Sequence, residues 1–122
     1  MAKAPVVEEA SIRHAVKVAS ITGQAKLRDV ALLWVAYGTG MMPIELAKLT
    51  VGDYLAADGT VREDAQIRAE IAFNDLARPL YWTNKGVAAA LDAYLAERVR
   101  NGYGAGDEGR YRGLDPASPI FL

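Results

Sequence analysis

Residues 25 to 37 leave this chain few ways to fold. Leu27, Val30, Ala31, Trp34 and Tyr37 recur at the 3.6-residue spacing of one helix face, and Leu32, Leu33 and Val35 cover much of the remainder. A helix apolar on nearly every side has to be enclosed by other elements, so the spacing predicts a central buried helix from Ala25 to Tyr37. Its continuous apolar run, residues 30 to 37, is well short of the roughly 18 residues that a membrane-spanning helix needs. Gly38-Thr39-Gly40 follow at once and predict a turn requiring a permissive backbone.

Around that helix the pattern predicts three others. The first runs from about Glu8 to Ser20 with Ile12, Ala15, Val16 and Ala19 on one face, and Thr22-Gly23-Gln24 end it. A short one carries Pro43 in its first turn, where a missing N–H does no harm, and then Ile44, Leu46, Ala47 and Leu49. The last runs from about Asn84 to Arg100, capped by Thr83 and stopped by Asn101-Gly102, with Val87, Ala90, Leu91, Tyr94 and Leu95 on one face. Between the last two, residues 66 to 73 alternate polar and apolar as a half-buried strand does. A return strand is expected at residues 77 to 82, with Pro79 confining it to an edge, and a third short strand at 60 to 63 after the Asp58-Gly59 turn. The expectation is a single, mainly helical α+β domain with a small two- to three-stranded antiparallel sheet. Residues 102 to 118, with glycines at 102, 104, 106, 109 and 113, read as a flexible loop.

With 122 residues and 52% hydrophobic content the chain can bury one core. It has no cysteine, which excludes disulfides, thiolate metal sites and cysteine nucleophiles and fits a reducing, cytoplasmic setting. Its N-terminus has no apolar stretch of signal-peptide length. The net charge of −1 gives no overall excess of cations for a polyanion. Residues 66 to 100 are locally slightly positive, with Arg68, Arg78, Lys85, Arg98 and Arg100 against Glu70, Asp75, Asp92 and Glu97.

The turn belongs to a longer block, Thr39-Gly40-Met41-Met42-Pro43-Ile44-Glu45-Leu46-Ala47-Lys48-Leu49, with Asp53 four residues beyond. This block resembles the T-G-[LM]-R-x-x-E-L-x-x-L signature of the tyrosine recombinases, the phage integrases, through Thr39, Gly40, Glu45, Leu46, Leu49 and Asp53. Arg78-Pro79-Leu80 is similar to that family's R-x-[VI]-P-L strand, and Pro119-Ile120-Phe121-Leu122 to its [PH]-L-F segment. The order of predicted elements is also the family's order. The resemblance implies a recombinase-like core concerned with DNA integration and recombination, with duplex or junction DNA as partner and no cofactor.

The departures bear on activity. The family's arginine, which clamps the scissile phosphate with two parallel hydrogen bonds, is replaced by Met42, an uncharged thioether. On this reading Glu45, the family's supporting carboxylate, loses its partner. No lysine lies between Leu49 and Asn84 to serve as the family's hairpin acid, Phe73 and Asn74 occupying that neighbourhood. The family's H-x-x-R helix and nucleophilic tyrosine lie beyond the [PH]-L-F segment, where this sequence ends. The implied domain binds DNA but cannot cut or rejoin it alone. Arg68, Arg78 and Lys85 are its candidate phosphate contacts. The alternative is a non-enzymatic module that pairs with itself or with an active recombinase.

Other side chains have plainer readings. Tyr37, Tyr54, Tyr81, Tyr94 and Trp34 read as packing residues, and Tyr103 and Tyr111 as surface residues. Met41 and Met42 read as fillers beneath the turn. His14, the only histidine, has no other histidine or cysteine to join it as a metal ligand.

Overall fold

The computed structural model describes residues 11, 13–15, 17 and 25–122. The expected helix at Glu8 to Ser20 lies largely outside the described residues; Ser11, Arg13, His14, Ala15 and Lys17 within it are helical. Helix α1, Lys26–Thr39, forms where the spacing put a helix and runs on through Gly38 and Thr39, but it is not enclosed as expected: only Ala31 and Val35 are buried, while Leu27, Val30, Leu32, Leu33, Trp34 and Tyr37 are half-buried. It stops at Gly40, whose left-handed backbone at φ 67° returns its N–H to Ala36 O. Thr39 tightens the same turn, donating its hydroxyl to Val35 O at 2.6 Å and accepting from Met41 N at 3.3 Å. Helix α2, Pro43–Lys48, begins with proline in its first turn as expected.

A one-turn helix, α3 at Val51–Tyr54, was not anticipated. Its cause is a reciprocal cap. The Asp53 carboxylate accepts from Thr50 N at 2.9 Å and from Thr50 Oγ1 at 3.0 Å, which satisfies donors that a chain reversal would otherwise strand. Helix α4, Lys85–Asn101, packs along α1 and buries Val87, Leu91, Tyr94 and Leu95. Its cap is Asn84, not Thr83: the Asn84 side chain accepts from Gly86 N and Val87 N, and Gly102 at φ 70° ends the helix.

The sheet is antiparallel but smaller than its pattern suggested. Strand β1 is only Gln66–Ile67 and β2 only Arg78–Pro79, with Ile67 opposite Arg78. The expected strand from 66 to 73 breaks after Ile67 because Ile71 N and Ala72 N both bond back to Arg68 O, and Asp75 takes φ 59°. Ile71 and Ala72 are consecutive and both buried, which a pleated strand facing two ways cannot arrange but a turn can. The expected third strand reduces to one bridge, Leu55 with Val61.

Residues 102–118 hold no α-helix, but they do pack. Tyr111, Arg112 and Gly113 are left-handed in succession, Tyr111 N bonds to Ala57 O, and Ala105 bridges Leu114, which is buried in the core. The following segment docks beside α3 through Val51 N to Ser118 O at 3.0 Å and Ile120 N to Leu49 O at 2.8 Å. Ile120 is fully buried and Phe121 stacks on Tyr94 with ring centres 6.2 Å apart. Among the described residues no helix is long and apolar enough to cross a membrane.

Candidate functional site

Glu45 is the third residue of α2, and its side chain has no exposed surface. A carboxylate in that position needs every lone pair answered. It accepts Met42 N at 2.8 Å on Oε1 and Phe73 N at 3.0 Å on Oε2, and Arg78 from β2 meets both oxygens in a two-pronged ion pair at 2.5 and 2.6 Å. Glu45 has therefore not lost its partner. Its charged partner is Arg78, 33 residues further along the chain than Glu45, while Met42 contributes its backbone N–H and lies half-buried. Burial alone would push the carboxyl upward; the Arg78 bonds and the two amides outweigh it and hold Glu45 below the usual carboxylate range.

A second pair lies at α3. Asp53 is almost fully buried and receives Arg68 Nε at 2.7 Å and Nη2 at 3.0 Å, besides its Thr50 cap, and it too is held below its ordinary range against the opposing effect of burial. Arg68 immediately follows β1 and Arg78 lies in β2, so the hairpin delivers one guanidinium to each of two helices. Arg68 also reaches Glu70, and Cζ of Arg78 lies 5.5 Å from the centre of the Phe73 ring. Their side chains remain 35% and 32% exposed, although all three nitrogens of the Arg68 guanidinium already meet a carboxylate, Nη1 that of Glu70. A cleft of about 220 Å³ beside this pair is lined by Asp53, Arg62, Asp64, Gln66 and Arg68 among others.

Lys85 stands apart from this centre. It is exposed at the first position of α4 and lines a cleft of about 450 Å³ with Arg13, Trp34, Tyr37, Asn84 and Gly86. Trp34 is therefore half-buried at a cleft wall and not enclosed in the core as expected of it. The pattern of residues 25 to 37 could not reveal this, because the shape of the wall is set by Gly86, some fifty residues away: a Cβ there would come within 2.6 Å of the Trp34 ring.

Tyrosine 81 also departs from expectation, being 66% exposed, whereas Tyr54 and Tyr94 are buried as anticipated. The Tyr54 phenol donates to Asp92 at 3.0 Å, and burial together with that carboxylate raises it far above its ordinary value. A phenol so held is protonated and is no nucleophile. Met41 fills core space as expected. His14 is exposed, and among the described residues no group of three or more His, Cys, Asp or Glu could hold a metal ion.

Sequence reasoning passed over Arg98. Its guanidinium is buried in α4 and donates to Tyr103 O, Pro119 O, Ile120 O and Ser118 Oγ at 2.6 to 3.2 Å; burial lowers its pKa from the usual arginine value. The signal was present, since position 98 continues the apolar stripe of Val87, Leu91, Tyr94 and Leu95 at helical spacing. Comparison of the chain with protein-family models, with curated proteins and with solved structures found no match.

Proposed function

We propose that this chain is a DNA-binding domain of recombinase-like build, acting in DNA integration or recombination in the cytoplasm, and that it neither cleaves nor rejoins DNA itself. The Glu45–Arg78 pair carries this reading. Two motif fragments that resemble the family separately, the Thr39 to Leu49 block and Arg78-Pro79-Leu80, meet through a two-pronged ion pair, as parts of one inherited centre would.

The same pair argues against chemistry. A transition-state phosphate needs a guanidinium free to donate two hydrogen bonds. Position 42 offers a thioether, and the inward edge of Arg78 is committed to Glu45. The hairpin carries no lysine to protonate a leaving oxygen, and Tyr54 is locked as a protonated donor. What remains is binding, for which the outer edges of Arg68 and Arg78, together with Lys85, are the proposed contacts. A nicked suicide duplex incubated with the protein is expected to yield no covalent protein–DNA adduct; an adduct through a tyrosine would overturn the non-cleaving reading.

One observation favours a second reading, a module that pairs with another copy of itself or with an active recombinase. Ile44 and Phe73 are 53% and 40% exposed, and both adjoin Glu45: Ile44 precedes it in α2, and the Phe73 N–H is bonded to it. Apolar side chains exposed beside a rigid centre are what a protein contact uses. Sedimentation at increasing concentration tests this: a monomer throughout, together with no capture by an active recombinase, would remove it.

A further inference from the structure

We propose that Arg62 holds a backbone phosphate of bound DNA at the cleft between α3 and β1, with the Gln66 amide as a second donor. This contact rests on the preceding reading for its partner and involves a residue that sequence reasoning passed over. Arg28, Arg68, Arg78 and Arg112 are each hydrogen-bonded to a carboxylate, and Arg98 is buried among backbone carbonyls and a hydroxyl. Arg62 is held differently. Its Nε donates at 2.6 Å to Gly52 O, a neutral acceptor in α3, so the guanidinium is fixed by its inner edge with no bonded anion to offset its charge. The carboxylate paired with it, that of Asp64, lies 3.9 Å from Nη1, beyond hydrogen-bond reach, on a side chain 88% exposed. Among the described residues Nη2 has no acceptor.

The cleft that Arg62 lines is sized for a phosphate. Its volume of about 220 Å³ is below the roughly 300 Å³ at which small-molecule pockets begin, so it admits one phosphate group of a passing strand and not a whole nucleotide. Strand β1 supplies the second donor. Ile67 is buried, so Gln66 before it and Arg68 after it turn to the opposite face and line the cleft, where the exposed Gln66 amide makes no hydrogen bond among the described residues. Asp53, in the same wall, has its charge answered by Arg68 and by its Thr50 cap. Two arginines and two aspartates leave the cleft neutral, so a free anion gains little there, whereas a strand held by its other contacts gains one directed bond. A guanidinium fork can give a phosphate two parallel N–H bonds, and one already fixed by Gly52 O loses less freedom in doing so. Asp64 is the side chain that the phosphate displaces, and a solvent-exposed pair of that length gives up little.

Binding of labelled duplex DNA to the full chain, followed across a salt series, tests this contact. Arg62→Gln should make the slope of log affinity against log salt shallower by about 0.9 and weaken binding by about eightfold at roughly 0.1 M salt, the effect of one lost phosphate. Asp64→Asn should raise affinity by up to about fivefold at low salt, and by more than Glu108→Gln, which removes an exposed acid outside the cleft. Because Asp64 is 88% exposed, its variant decides the matter even if Arg62→Gln does not fold. With wild-type binding intact, an unchanged slope in folded Arg62→Gln, or a gain in Asp64→Asn no larger than in Glu108→Gln, would overturn the proposal and leave the DNA reading standing. No salt-dependent binding by the wild type would remove both.

Discussion

A carboxylate with no exposed surface stays ionised only if its surroundings replace water, and Glu45 achieves this with four donors from three residues. Removing the charged partner should cost more than removing a surface ion pair. Arg78→Ala is expected to destabilise the fold by about 3 kcal/mol, the lower end of the cost of orphaning a buried charge, as read from urea denaturation. Arg78→Lys should recover only part of this, because a point charge cannot bridge both oxygens. The pH dependence has a definite sign. Glu45 and Asp53 both have depressed folded pKa values, so their contribution is fully present above their unfolded values of about 4. It is lost as pH falls through the depressed values. Urea midpoints measured from pH 7 downward should therefore drop in the acid range, and the acid loss should be smaller in Arg78→Ala. Glu45 was legible as a motif position in the sequence, but its partner was not. Nothing local links position 45 to position 78; the hairpin register that brings them together is a tertiary fact.

Among the elements, α1, α2 and α4 were readable, whereas α3 and the extent of the sheet were not. Apolar spacing located α1 and α4 to within a residue or two, since the two pack on one another, although only α4 buries a long stripe and α1 buries just Ala31 and Val35. The alternation at residues 66 to 73 misled because Ile71 and Ala72 gain more from joint burial in a turn than from continuing a two-stranded ribbon. The α1–α4 contact depends on two glycines at close approach, Gly38 under Val87 and Gly86 under Trp34. Alanine at a helical position ordinarily gains about 1 kcal/mol over glycine. Gly86→Ala should do the reverse, lowering stability by about 1 to 3 kcal/mol through overpacking and shifting tryptophan emission as the ring is displaced. At the other end of α4, Arg98 ties the helix to the 118–120 backbone. Arg98→Leu should cost about 3 kcal/mol, because it leaves several buried carbonyls without donors. Faster amide exchange at Ile120, whose N–H bonds to Leu49 O, would localise the effect to that segment.

For the whole molecule, two guanidinium–carboxylate centres pin one hairpin to α2 and α3, and α4 with its buried arginine fastens the C-terminal segment to the same body. The candidate sites were only partly legible in the sequence. The Thr39 to Leu49 block and the Met42 substitution are visible in the sequence, whereas the Trp34 cleft depends on a glycine far along the chain. On the proposed reading, a phosphate-binding surface persists where cleavage chemistry does not. Fluorescence anisotropy with duplex and four-way-junction DNA across a salt series decides this. Binding should weaken linearly in log–log form with a slope of about −0.9 for each phosphate contacted, and Arg68→Gln should make that slope shallower. No binding at the lowest salt, or binding indifferent to salt, would contradict the claim.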